Sequence, residues 1–244
     1  MKYGFSILVP HPDDEFIGCY QFIQRYKTCI NNIIFVTNGE RSVTNFPDMV
    51  EYLKIRRMES QSWISETIPN CEIHYLNVPD DTTTENINNS WTSKLFYNIN
   101  GQSPLFFLLE KTRKIVGSNI VLLCNLEKHP SHELTFTLGS LLSNKKVYYQ
   151  IHPIMINNIE HEAGTLYNKI NVNKEQYFNY YYVFNDQEII EKRKLFQLYY
   201  YSQYTDFLKT GVSIGNWETY LSEVPLLLSG EDKTYPLTQQ IRFI

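Results

Sequence analysis

Short apolar runs alternate with stretches of helical period along most of this chain, and that alternation restricts the fold more than any other feature. Residues 5–10, 32–37, 73–78, 119–124, 147–151 and 180–184 read as strands, because each is a brief run and several are rich in β-branched or aromatic side chains. Residues 14–26, 48–64, 105–116 and 132–142 read as helices between them, with a late helix over 188–208. A β-α-β-α order predicts a mostly parallel sheet, since each crossover helix must pack on one of its faces. Residues 7–9 and 120–123 are apolar without a break, as central strands buried on both sides must be.

The expected class is therefore α/β, a Rossmann-like sheet with helices on both faces and long loops at the strand carboxyl ends. Segments 79–104, 157–173 and 209–236 are rich in Asn, Thr, Ser, Gly or Pro and read as long polar loops. No repeat, heptad run or linker divides the chain, so one domain over residues 1–244 is expected. The net charge of −4 offers no basic field for nucleic acid. Four cysteines without a CxxC pair point away from a disulfide framework and toward a reducing compartment. The first apolar run is too short for a signal peptide or a membrane span, so the cytoplasm is the expected location.

Open parallel sheets bind ligands beyond the carboxyl ends of their strands. Directly after the first strand comes His11-Pro12-Asp13-Asp14-Glu15; directly after the fourth comes Asn125-Leu126-Glu127-Lys128-His129-Pro130-Ser131-His132. Two histidines and a carboxylate form a frequent zinc ligand set that leaves a position open for water. His11 and Asp14, three apart at a strand-to-helix turn, can converge on one ion, and His132 can complete the set from a neighbouring turn. The competing reading makes Pro12 and the three acids a helix start that complements the dipole. Two such segments, each placed after a strand, favour the metal.

The string Pro10-His11-Pro12-Asp13-Asp14-Glu15 resembles the Ala-His-Pro-Asp-Asp-Glu signature of the LmbE-like, or PIG-L, deacetylases. Those enzymes act on N-acetylglucosaminyl phosphatidylinositol and on the glucosaminyl precursors of mycothiol and bacillithiol. Val36-Thr37-Asn38-Gly39-Glu40 is similar to the family's Thr-Asp-Gly-Glu turn, and Arg56-Arg57-Met58-Glu59 to its Arg-x-x-Glu helix. Residues 76–80 resemble its Pro-Asp segment, and Tyr201-Ser202-Gln203 a late Tyr-x-Ser-Gln-like element. The likeness runs over residues 3–205. It implies one Zn²⁺ held by His11, Asp14 and His132, with Asp13 as general base. It also implies that His129 stabilises the oxyanion or protonates the departing amine, and that Glu15 orients the turn. The activity implied is removal of an N-acetyl or other N-acyl group from an amino sugar.

The chain departs from the pattern at Pro10, where alanine is usual, and at Ser131, where many members carry Asp. An Asp there would raise the pKa of His129, so His129 is expected to titrate lower unless Glu127, Glu133 or another acid substitutes. Arg56 or Arg57 can meet a hydroxyl, phosphate or carboxylate of the substrate; the alternative for Arg56 is an ion pair with Glu59. Asp80 either bonds a sugar hydroxyl or starts a turn, and Glu40 either supports the site or caps a helix. Tyrosine stretches 177–182 and 199–204 are expected in the core, and Trp91 and Trp217 are weaker candidates for sugar stacking. His74, His152 and His161 read as structural. Two further functions stay open: a zinc amidohydrolase for another N-acyl conjugate, and a sugar-binding protein without catalysis.

Overall fold

The computed structural model describes residues 4–39, 48–79, 104–124, 130–150, 177–180, 186–209 and 224–229. The first strand, β1 (Phe5–Val9), leads into α1 (Asp14–Tyr26), and β2 (Ile30–Thr37) into α2 (Met49–Thr67). There follow β3 (Glu72–Val78), α3 (Pro104–Val116), β4 (Ile120–Cys124), α4 (Pro130–Ser140) and β5 (Lys146–Gln150). The later elements are β6 (Tyr177–Tyr180), α5 (Asp186–Tyr199), α6 (Tyr201–Lys209) and β7 (Val224–Ser229). They build one sheet of order β3-β2-β1-β4-β5-β7-β6. β1 to β5 pair in parallel, while β7 runs antiparallel to both β5 and β6.

The chain folds this way because each central strand has two apolar faces. Ile7, Val9, Ile33, Phe35, Leu122 and Tyr149 turn to one side, where they meet Phe16 and Ile23 of α1, Trp63 and Ile64 of α2, and Phe196 of α5. Leu8, Ile34, Val36, Val121, Leu123 and Tyr148 turn to the other, against Leu105 and Val116 of α3 and Leu134 and Leu138 of α4. This is the two-sided burial expected from the unbroken apolar runs. It leaves the turns after β1 and β4 side by side at the point where the strand order reverses, the usual place for a ligand in such sheets.

Three expectations need correction. The segment 209–236 is not polar loop throughout: Val224–Ser229 is a strand inserted between β5 and β6. Its apolar core, Pro225-Leu226-Leu227-Leu228, was masked by polar flanks. Pro225, which has no N–H to give, falls where the pairing with β5 slips register. The last strand expected over 180–184 instead covers Tyr177–Tyr180; residues 181–185 lie outside the described ones. The late helix is two helices broken at Tyr200, because the Ser202 N–H donates to Glu59 Oε1 at 2.7 Å and so starts a new, acid-capped helix. Among the described residues no helix is long and apolar enough to cross a membrane.

Leu122 lies wholly inside, in the middle of β4. Leu122→Ala should lower the unfolding free energy by about 2–5 kcal/mol, read from urea denaturation.

Candidate metal and catalytic site

The site begins with the turn from β1 into α1. The Pro10 carbonyl accepts from the Thr37 N–H at 2.8 Å and the Thr37 hydroxyl at 2.9 Å, which ties the turn to the end of β2. His11 Nδ1 then stands 2.5 Å from Asp14 Oδ2, and the His11 N–H donates to the same oxygen at 3.2 Å. His132 arrives from the first turn of α4, wholly buried, with Nε2 3.6 Å from Asp14 Oδ2. The two imidazole rings are 5.0 Å apart. One donor atom from each of His11, Asp14 and His132 lies within 4.8 Å of the others. Two imidazoles and a carboxylate suit a divalent cation, and the three residues named from the sequence are the three brought together.

Asp13 sits beside this cluster in an unusual backbone conformation, φ 111°. That region favours glycine, and holding Asp there costs on the order of 1–3 kcal/mol. Neighbours fix it in place. The Asp13 N–H donates to Glu15 Oε2 at 3.0 Å, and Asp13 Oδ1 lies 2.9 Å from Arg56 Nη2. His11 Nδ1 is 3.9 Å from the same Asp13 oxygen. Arg56 also donates to the Pro12 carbonyl at 2.5 Å and to the Gly39 carbonyl. Gly39 has φ +77°, and a Cβ there would meet the Arg56 guanidinium and lie 2.9 Å from His11 Cβ. Only glycine fits that corner.

Arg56 is thus neither solvated nor the partner of Glu59 alone. It is 2% exposed and lies under the catalytic turn, with Asp13 as its ion-pair partner. It is there because the buried stripe of α2 runs Tyr52, Arg56, Ser60, Trp63, Ile64, a helical spacing that turns one arginine inward. Glu59 instead accepts from the Ser202 N–H and hydroxyl at 2.7 and 2.6 Å.

The late helices supply a second layer of support that the motifs did not reveal. Tyr200 donates its hydroxyl to Glu15 Oε1 at 2.6 Å, while Glu15 holds Asp13 through its other oxygen. Burial raises the Glu15 carboxyl to about 7, and the Tyr200 hydrogen bond partly offsets that rise. Burial, followed by the charge of Glu15, pushes the Tyr200 phenol well above its usual 10, which keeps it a donor. Lys192, wholly buried, donates to the Ile17 carbonyl of α1 at 2.8 Å. In the late element singled out from the sequence, the inward tyrosine is Tyr200; Tyr201 is 66% exposed. No sequence signal separates these two neighbours, because only the helix break decides which faces Glu15.

Ser131 is buried and its carbonyl accepts from the Thr135 hydroxyl at 2.8 Å, inside α4. Glu133 is exposed, and His74 stands 3.3 Å from Glu72 on β3. His129, Glu40, Asp80, Glu127, Trp91, Trp217, His152 and His161 lie outside the described residues.

Residues 6–143 match the PIG-L family, described as GlcNAc-PI de-N-acetylase. The chain belongs to this family. Membership makes it a deacetylase by family, on the same residues that the turns after β1 and β4 bring together. No curated protein matches the sequence. Among solved structures, the A40926 pseudoaglycone deacetylase Dbv21 is similar at TM-score 0.56 and 12% identity, over 93% of this chain and 97% of that one. The zinc-inhibited form of the teicoplanin deacetylase Orf2 is similar at TM-score 0.54 and 12% identity, over 93% and 99%. The N,N'-diacetylchitobiose deacetylase from Pyrococcus horikoshii, complexed with its inhibitor MPG, gives TM-score 0.49 and 18% identity, over 98% and 88%. At such identities the likeness is one of fold.

Breaking the Arg56–Asp13 pair strands a buried carboxylate, so Arg56→Ala should destabilise the PIG-L domain by about 3–5 kcal/mol. Tyr200→Phe, which removes only the donor to Glu15, should cost about 1–2 kcal/mol. Guanidinium unfolding of both variants beside the parent measures the two.

Proposed function

We propose that this chain is a zinc-dependent hydrolase that removes an N-acetyl, or other N-acyl, group from an amino sugar. The observation that carries the reading is the convergence of His11, Asp14 and His132 on one point, with Asp13 fixed beside them by Arg56. The donor set suits Zn²⁺, and His11, Asp14 and His132 would hold it. A zinc bound there supplies Lewis acidity, lowering the pKa of water and polarising the amide carbonyl.

The rest is the work of the chain's own groups. Asp13 takes a proton from the attacking water at its carboxylate, as general base. The Arg56 contact at Oδ1 sets the direction of that carboxylate, so orientation is settled before substrate arrives. Water oxygen bonds to the acyl carbon, the C–N bond breaks, and the nitrogen leaves as a protonated amine with a carboxylic acid as the other product. His129 is assigned the charge on the carbonyl oxygen or the proton delivered to nitrogen, on the strength of its place in the His-Pro-Ser-His string. Glu40 and Asp80, at the ends of β2 and β3 in sequence, are assigned to the sugar side of the pocket. The family described for residues 6–143 and the two-histidine, one-carboxylate cluster support the amino-sugar reading together.

Purified without chelator, the protein should carry about one zinc per chain, and dialysis against a chelator should remove both metal and activity, with zinc restoring both. Asp13→Asn should keep the metal but lose activity by roughly 10²–10⁴-fold in release of acetate from N-acetylglucosamine substrates. An Asp13→Asn variant with parental turnover would refute the role of Asp13, and a parent without zinc would refute the metal.

A further inference from the structure

Arg56 and Arg57 are neighbours on α2, yet the fold treats them differently. Arg56 is enclosed under the catalytic turn with a carboxylate partner. Arg57 is half-buried, and both of its hydrogen bonds go to neutral amides: Nη2 donates to Asn38 Oδ1 at 2.6 Å and to Asn77 Oδ1 at 2.7 Å. Its guanidinium lies over the Tyr75 ring at 4.7 Å. Among the described residues no carboxylate stands within ion-pair distance of it. This is a cation held in place by oriented dipoles and a ring face, with its charge left for another group to meet.

Its place matters as much as its charge. Asn38 follows β2 and Asn77 is near the end of β3, where the Asn38 N–H donates to the Val78 carbonyl at 2.9 Å. Asn77 takes φ 61°, a left-handed turn that lets its side chain reach Arg57. Gly39, next to Asn38, abuts His11. Strands lie about 4.8 Å apart, so the carboxyl ends of β2 and β3 are one to two strands from the turn after β1 that carries His11 and Asp14. That offset matches the reach from an N-acyl group across one sugar ring to the substituent beyond it.

We infer that Arg57, pre-set by Asn38, Asn77 and Tyr75, is a subsite for an oxyanion, phosphate or carboxylate, carried by the substrate on the far side of its amino sugar. The inference rests on the proposed deacetylase reading and adds charge selectivity to it. Arg56 is a positioning residue, while Arg57 faces the variable part of the substrate.

The test compares zinc-loaded parent and Arg57→Gln on three substrates: N-acetylglucosamine 1-phosphate, an N-acetylglucosaminide with a carboxylate aglycone, and the neutral methyl glycoside. The parent should show a lower KM for at least one anionic substrate than for the neutral one. In Arg57→Gln the anionic-to-neutral ratio of kcat/KM should fall by roughly 10–100-fold, through KM. Whichever anion loses its advantage identifies the chemistry. A parent without charge preference, or a variant with an unchanged ratio, overturns the proposal. Calorimetry with glucosamine 1-phosphate and glucosamine keeps the question separate from turnover. Loss of the affinity difference in Arg57→Gln supports the subsite even if no substrate is deacetylated, in which case the deacetylase reading fails alone. An equal difference in both proteins sinks the subsite. A matching zinc content in the two proteins certifies that the turn is intact.

Discussion

The buried ion pair between Asp13 and Arg56 is the constraint from which the rest of this site follows. Asp13 occupies a backbone region that an L-residue enters only at a cost, and its side chain is 3% exposed. A carboxylate so placed stays where it is because a guanidinium meets it at 2.9 Å and grips the Pro12 and Gly39 carbonyls as well. Fixing Asp13 fixes its neighbours in sequence, and so brings His11 and Asp14 round to face His132. Strain in the turn and order in the site are one fact seen from two sides.

That arrangement draws on distant parts of the chain. The first turn supplies Asp13 and two metal donors, α2 supplies Arg56, and α4 supplies His132. The helices after β6 close the set from behind, Tyr200 on Glu15 and Lys192 on Ile17. Each contact spans a long sequence separation, so each depends on the sheet being complete. The order β3-β2-β1-β4-β5 is what makes the geometry possible, since it sets the ends of β1 and β4 side by side where the connections turn in opposite directions.

Successive residues on a helix point about 100° apart, and α2 uses that angle to separate two tasks. Arg56 faces the sheet and serves the turn; Arg57 faces the flank and meets Asn38, Asn77 and Tyr75. A family motif written as Arg-x-x-Glu cannot express the difference. It also hides that Glu59 serves Ser202 at the start of α6, tying the late helices to the same helix that holds the base.

By itself the sequence determined the class of fold, because unbroken apolar runs such as Ile7 to Val9 admit only strands covered on two sides. It also determined the metal donors, since His11, Asp14 and His132 follow strand ends in a pattern whose spacing has a chemical meaning. Family membership was legible from the same string. What only the tertiary structure decided was which polar residues go inside. The inward turn of Arg56, the choice of Tyr200 over Tyr201, and the strand at Val224–Ser229 all depend on partners far along the chain. Local spacing carries the direction of a side chain relative to its own helix or strand. It carries nothing about which distant carboxylate or carbonyl will be waiting there.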